Sequence, residues 1–222
     1  MRGKRQWVVT LLVSISLLGI GCTVNNGPGG SEITNGIVTG ANGNGVSGIT
    51  VTAYPERFIA GHYDATAVLR TQTDTDGKFY LPIDSGTYNI FIIDTVDGVG
   101  TLVAEIGPEE DLGVLQLEEL GALGGTLQFA NENPVGVVVY SPGTPYKTNV
   151  YAGNPEFRFE LVPAGQYALE IAKQPSVGCP PGEDCQPAGG IPGNPDGTLT
   201  VVGGNETKID TTINTTNLGE LP

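Results

Sequence analysis

From residue 36 onward, apolar and polar residues alternate in short runs, each closed by Gly, Pro, Asn or Asp. Ile49-Thr-Val-Thr-Ala-Tyr54 puts Ile49, Val51 and Ala53 on one side and Thr50, Thr52 and Tyr54 on the other, the period of two of a half-buried β-strand. Ahead of it, Gly36-Ile-Val-Thr opens a strand and the Gly- and Asn-rich residues 40–48 read as a turn. Residues 67–73 predict a strand, Asp74-Thr-Asp-Gly77 a tight hairpin turn, and residues 78–81 its return strand. Asp84-Ser-Gly turns again into residues 87–94, with Tyr88, Ile90 and Ile92 on one face. Residues 102–106 and 112–117 complete about seven strands. No segment keeps a 3.6-residue period with caps, so little helix is expected.

The same order then recurs in degraded form. Thr71-Gln-Thr-Asp-Thr-Asp-Gly-Lys-Phe-Tyr-Leu-Pro-Ile-Asp-Ser-Gly-Thr-Tyr-Asn-Ile90 is echoed over residues 148–169: strand, Gly-containing turn, aromatic strand, Pro, Gly-x-Tyr, apolar strand. Second-copy strands are predicted at residues 124–129, 135–140, 148–151, 156–161, 166–172, 199–202 and 206–213. The fold class is therefore all-β, two tandem Greek-key sandwiches of the immunoglobulin-like or transthyretin-like kind. Their expected bounds are residues 34–119 and 120–216, with almost no linker, a loop at 175–196 inserted in the second and a short tail at 217–222.

Gly48-Ile-Thr-Val-Thr-Ala, Thr71-Gln-Thr-Asp-Thr-Asp-Gly-Lys-Phe and Gly86-Thr-Tyr-Asn-Ile together resemble the carboxypeptidase regulatory-like domain, a transthyretin-like relative of the immunoglobulin sandwiches. The resemblance covers residues 35–118 well and residues 121–214 more weakly, where Ala152-Gly-Asn-Pro-Glu-Phe replaces Thr-Asp-Gly-Lys-Phe. It implies a folding or interaction module without catalytic residues of its own. It also implies that the Gly-x-Tyr tyrosines, Tyr88 and Tyr167, are packing devices, each ring in a core with its hydroxyl capping backbone at a sheet corner.

The N-terminus changes the picture. Three cationic side chains precede a 14-residue apolar run, Trp7 to Ile20, that stops at Gly21-Cys22. That is short for a membrane span and right for a secretion signal over residues 1–21. Leu18-Gly-Ile-Gly-Cys22 resembles the lipobox of bacterial lipoproteins, although Leu stands one position earlier than usual. The resemblance implies a lipidated Cys22, a flexible tether over residues 22–33 and a location in the bacterial envelope, tied to a membrane the chain does not cross. Thr23 in place of an inner-membrane retention Asp favours the outer membrane. The alternative is a plain secretory signal that leaves Cys22 as an odd thiol.

Loss of residues 1–21 leaves seven basic against 24 acidic residues, a net charge of −17 with no Lys/Arg cluster, which argues against nucleic acid as a partner. Cys179 and Cys185 remain, and export makes a disulfide between them the first expectation. A redox-active pair is the alternative, although the spacing is not Cys-x-x-Cys. Two thiols and the lone His62 are too few for zinc.

The remaining chemistry is sparse. Asp74-Thr-Asp-Gly77 looks like half a calcium loop, but Phe79, Leu81 and Ile83 stand where further oxygen ligands are needed, so a turn is expected and no metal. With one His and no Gly-x-Ser-x-Gly or His-Glu-x-x-His, there is no nucleophile-base set, and neither an enzyme nor a cofactor is expected. Arg57, Phe58, His62 and Tyr63 share the long connection after residue 55, where rings on a sandwich loop could stack on sugar; the alternative is an ordinary loop whose rings tuck over the sheet end. Tyr140-Ser-Pro-Gly-Thr-Pro-Tyr146 is a similar, weaker candidate. Three roles are open: a structural or interaction module, a carbohydrate-binding surface protein, and an accessory subunit of an adhesion or secretion complex. The expected partners are a membrane, through the anchor, and a protein or a glycan.

Overall fold

A computed structural model describes residues 33–62, 65–130, 136–174, 198–215, 218 and 221. Cys22, Tyr63, Cys179 and Cys185, and with them the anchor and the disulfide, lie outside the described residues. The chain is all-β there, with a 3-10 turn at Ala65–Ala67.

In the first half, β1 (Thr34–Thr39) lies between β4 (Lys78–Leu81) and β7 (Asp111–Gln116), antiparallel to the one and parallel to the other. The facing sheet runs β3 (Leu69–Gln72), β2 (Thr50–Pro55), β5 (Tyr88–Asp94), β6 (Val99–Ile106) and β8 (Glu118–Glu119). Val38, Val51, Ala53, Phe79, Leu81, Ile90 and Ile92 fill the space between the two sheets.

After Leu120, the pairing order repeats. β9 (Gly121–Phe129) lies between β12 (Glu156–Val162) and β16 (Glu206–Ile213), again antiparallel and parallel respectively. β10 (Val137–Tyr140) lies between β11 (Lys147–Val150) and β14 (Glu170–Lys173), and β13 (Gly165–Ala168) pairs with β15 (Thr198–Val201). The strand expected at residues 166–172 is thus two. It breaks at Leu169, because its first part pairs with β15 and its second with β10.

Local chemistry explains the turns. At Asp74, Oδ1 accepts the Asp76 and Lys78 amides, both at 2.9 Å, while its carbonyl accepts the Gly77 amide at 3.0 Å. The carboxylate is spent on its own turn, as the turn reading expects. Gly77 sits at φ +79°, and a Cβ there would lie 2.4 Å from the Val38 carbonyl oxygen, so hairpin and first strand meet backbone to backbone.

One expectation is overturned. β2 is not half-buried: Thr52, on the face assigned to solvent, is 8% exposed, and beside it Phe91 of β5 is 2% exposed. Phe91 belongs to the core of the second half, with Leu123, Val139, Tyr146, Phe159, Tyr167 and Ile171. Tyr54, Ile93 and Leu102 pack against the same core. The middle of the first half's larger sheet, β2, β5 and part of β6, thus has two sides buried, and the second half covers the outer one.

The candidate loops at the junction of the two halves

The two loops singled out for ligand contact meet each other. Phe58, with 7% exposure, lies against Tyr54 at 5.0 Å between ring centroids, so its ring offers no free face for stacking. The Phe58 carbonyl accepts the Gly143 amide at 2.8 Å, and Ile59 bridges to Thr144. Asn89 completes the seam, its side-chain amide donating to the Gly143 carbonyl at 3.1 Å while its Oδ1 accepts the Glu105 amide at 3.1 Å. Gly143 is required here. Its φ is +68°, and a Cβ would fall 2.3 Å from Asn89 Nδ2 and 2.8 Å from the Glu56 carbonyl oxygen.

Rings continue the seam inward. Tyr54 meets Phe91 edge-on at 5.4 Å, Phe91 meets Tyr146 at 6.0 Å, and Tyr146 meets Phe159 at 5.5 Å and Tyr167 at 6.0 Å. Tyr146, the last residue of the weaker candidate loop, is therefore a core residue, its hydroxyl donating to the Leu161 carbonyl at 2.9 Å. Tyr167 has the corner geometry: the ring is 1% exposed and the hydroxyl donates to the Pro163 carbonyl, four residues back, at 2.8 Å. Tyr88 is half-buried at the margin of the first core. Burial raises the hydroxyl pKa of Tyr54, Tyr146 and Tyr167 above the ordinary tyrosine value; neighbouring Tyr54 adds to it for Tyr146 and Tyr146 for Tyr167. Arg70 draws Tyr54 part of the way back.

Above the seam, a groove of about 400 Å³ is left between the halves, lined by Arg57, Glu56, Glu105, Ser141, Gln166 and Glu170 among others. Arg57 is exposed at this groove, and His62 is exposed further along the same connection. Glu105 holds φ +61°, an uncommon conformation for a side-chain-bearing residue, stabilised by the Asn89 contact. Ser141 Oγ is buried and makes no hydrogen bond to the described protein atoms. A larger depression, about 510 Å³, lies over the outer face of β12, β9 and β16; its Arg158 is engaged by Glu206 and Glu160. No cluster of three potential metal ligands occurs among the described residues.

No family model matches the chain, and no curated protein matches it. Among solved structures it is similar to GBS52, the minor pilin of Streptococcus agalactiae: 12% identity over 86% of this chain and 99% of that one, TM-score 0.35. The Bacillus anthracis TIE protein is 14% identical over 82% of this chain, which spans 33% of its length, with TM-score 0.29. The shaft pilin SpaA of Lactobacillus rhamnosus GG is 10% identical over 82% of this chain and 97% of that one, with TM-score 0.26. These TM-scores are low, and the functional reading rests on this chain's own residues.

What sequence reasoning missed is that the two loops are partners. Gly143 is the signal that could have found it, since a Gly between Pro142 and Thr144, flanked by an apolar strand and an aromatic, marks a close backbone approach.

Proposed function

We propose that this chain is a non-enzymatic protein of the bacterial envelope, held to a membrane by a lipid on Cys22, whose paired β-sandwiches serve as a structural or interaction module. One observation supports it most: the side chains with chemical reach are spent on architecture. Phe58 and Tyr146 close the junction, Tyr167 caps its own corner, and Asp74 caps its own turn. The anchor is supported by Gly21-Cys22 at the end of the apolar run and the polar tether after it. The carboxypeptidase regulatory-like likeness of residues 35–118 fits such a module, as does an accessory role in an adhesion or secretion complex. Mass spectrometry of the mature N-terminus tests the anchor. An acylated Cys22 is expected, with Cys22→Ser moving the protein out of the membrane fraction; an unmodified terminus at another residue refutes it.

A second reading, carbohydrate binding, is favoured by the groove at the junction, where exposed Arg57 and the amide of Gln166 could meet sugar hydroxyls. The Phe58 ring, buried against Tyr54, has no part in it. A glycan array with wild type and Arg57→Ala tests it: binding lost in the variant supports the reading, and no binding by wild type ends it.

A further inference from the structure

In each half the opening strand lies beside and parallel to a strand near the end of that half, β1 with β7 and β9 with β16. The chain enters one end of each ladder and leaves from the other. Tension between the termini therefore slides the two strands past each other, loading every rung at once. A pull on two strands at the same ladder end instead breaks rungs one after another at low force. The ladders differ: β9 and β16 pair over eight positions, Ala122↔Glu206 to Phe129↔Ile213, without interruption. β1 and β7 pair at four positions, with a register shift between Asn35 and Ile37. Further bonds extend both ladders: Ala122 donates to the Asn205 carbonyl at 2.9 Å, Ala130 to the Ile213 carbonyl at 2.8 Å, and Leu117 to the Thr39 carbonyl at 2.8 Å. With Leu120 alone between β8 and β9, no slack linker separates the two ladders.

We propose that this protein bears tension along its chain, with two shear-loaded parallel ladders in series, the second the stronger and the first the element that yields. The proposal takes its setting from the structural role above, but the ladder geometry stands without the anchor. The test is single-molecule pulling on the full chain through handles at chosen exposed residues. Handles at Glu119 and Asn214 shear the second ladder, and handles at Glu119 and Asn205 peel the same ladder from one end. The first pair is expected to rupture at about twice the force of the second or more, because the whole eight-position ladder shares the load instead of its end rung alone. Handles at Ile33 and Glu119 shear the first ladder and should rupture below the Glu119 and Asn214 pair. Equal forces in the shear and peel geometries overturn the load-bearing role, and a first half as strong as the second overturns the order of yielding. An unmodified N-terminus would remove the anchor and leave these forces unchanged, so the two readings fail separately.

Discussion

Replacing Phe91 by Ala removes a ring that stands on β5 of the first half yet is buried, at 2% exposure, in the core of the second. The ring meets Tyr54 edge-on at 5.4 Å and Tyr146 at 6.0 Å, so both contacts are lost with it. Truncating a buried Phe costs about 3–5 kcal/mol, lost transfer energy plus the cavity left behind. Because the void opens in the second core, the cost should fall on the second half, although the substitution lies in the first. Hydrogen exchange read peptide by peptide separates the two. Amides of β10, β11 and β14 should exchange about two to three and a half powers of ten faster in Phe91→Ala, at about 1.4 kcal/mol per tenfold. The control is Ile92→Ala, one residue on and fully buried in the first core, which should open the first half instead, at about 2–5 kcal/mol. If Phe91→Ala speeds exchange only within residues 34–119 and leaves the second half unchanged, the shared core is refuted.

Gly143→Ala should destabilise by about 2–4 kcal/mol in urea unfolding, since it combines a left-handed φ with a Cβ pressed on the Glu56 carbonyl oxygen and breaks bonds to Phe58 and Asn89; a loss below about 0.5 kcal/mol contradicts the seam. Tyr167→Phe strands the Pro163 carbonyl and should cost about 1–2 kcal/mol by the same measurement, more than Tyr88→Phe at the half-buried margin. Ser141→Ala removes a buried hydroxyl without a protein partner, so stability should stay level or rise, and a clear loss argues against that placement. On alkaline titration, the raised pKa values of Tyr54, Tyr146 and Tyr167 mean that the folded state holds protons the unfolded chain releases near pH ~10. Their contribution is complete below that pH and is lost as pH rises toward the folded values. Tyrosinate absorbance from these three rings should therefore appear together with unfolding; its appearance ahead of unfolding contradicts their burial.

Legibility in the sequence divides along the range of the interaction. The hairpin at Asp74-Thr-Asp-Gly77 is written in adjacent residues, an acceptor carboxylate and a Gly that takes positive φ, and the return strand, Lys78–Leu81, has the bounds its pattern predicts. Glu206–Ile213 does too, because its β-branched residues Thr207, Ile209, Thr211 and Ile213 recur every second position on the less exposed face. The alternation of Ile49, Val51 and Ala53 reports only the face those residues share and says nothing of the outer face of β2 and β5. β5 itself carries that signal: Tyr88-Asn-Ile-Phe-Ile-Ile-Asp94 is apolar in both registers from Ile90 to Ile93, as is Val137-Val-Val-Tyr140, and such runs belong to strands covered on both faces. The loops follow the same logic. Phe58 and Tyr146 lie far apart in sequence, and an aromatic on a loop reads alike whether it awaits a ligand or the next module. Here two such loops flank a junction with one residue of linker, so the halves cannot move apart enough to leave both sets of rings in water. In tandem sandwiches joined this tightly, apolar residues beside the joint have the neighbouring module as their nearest available cover, and a site for an outside ligand is better sought in what that cover leaves open, here the groove at Arg57.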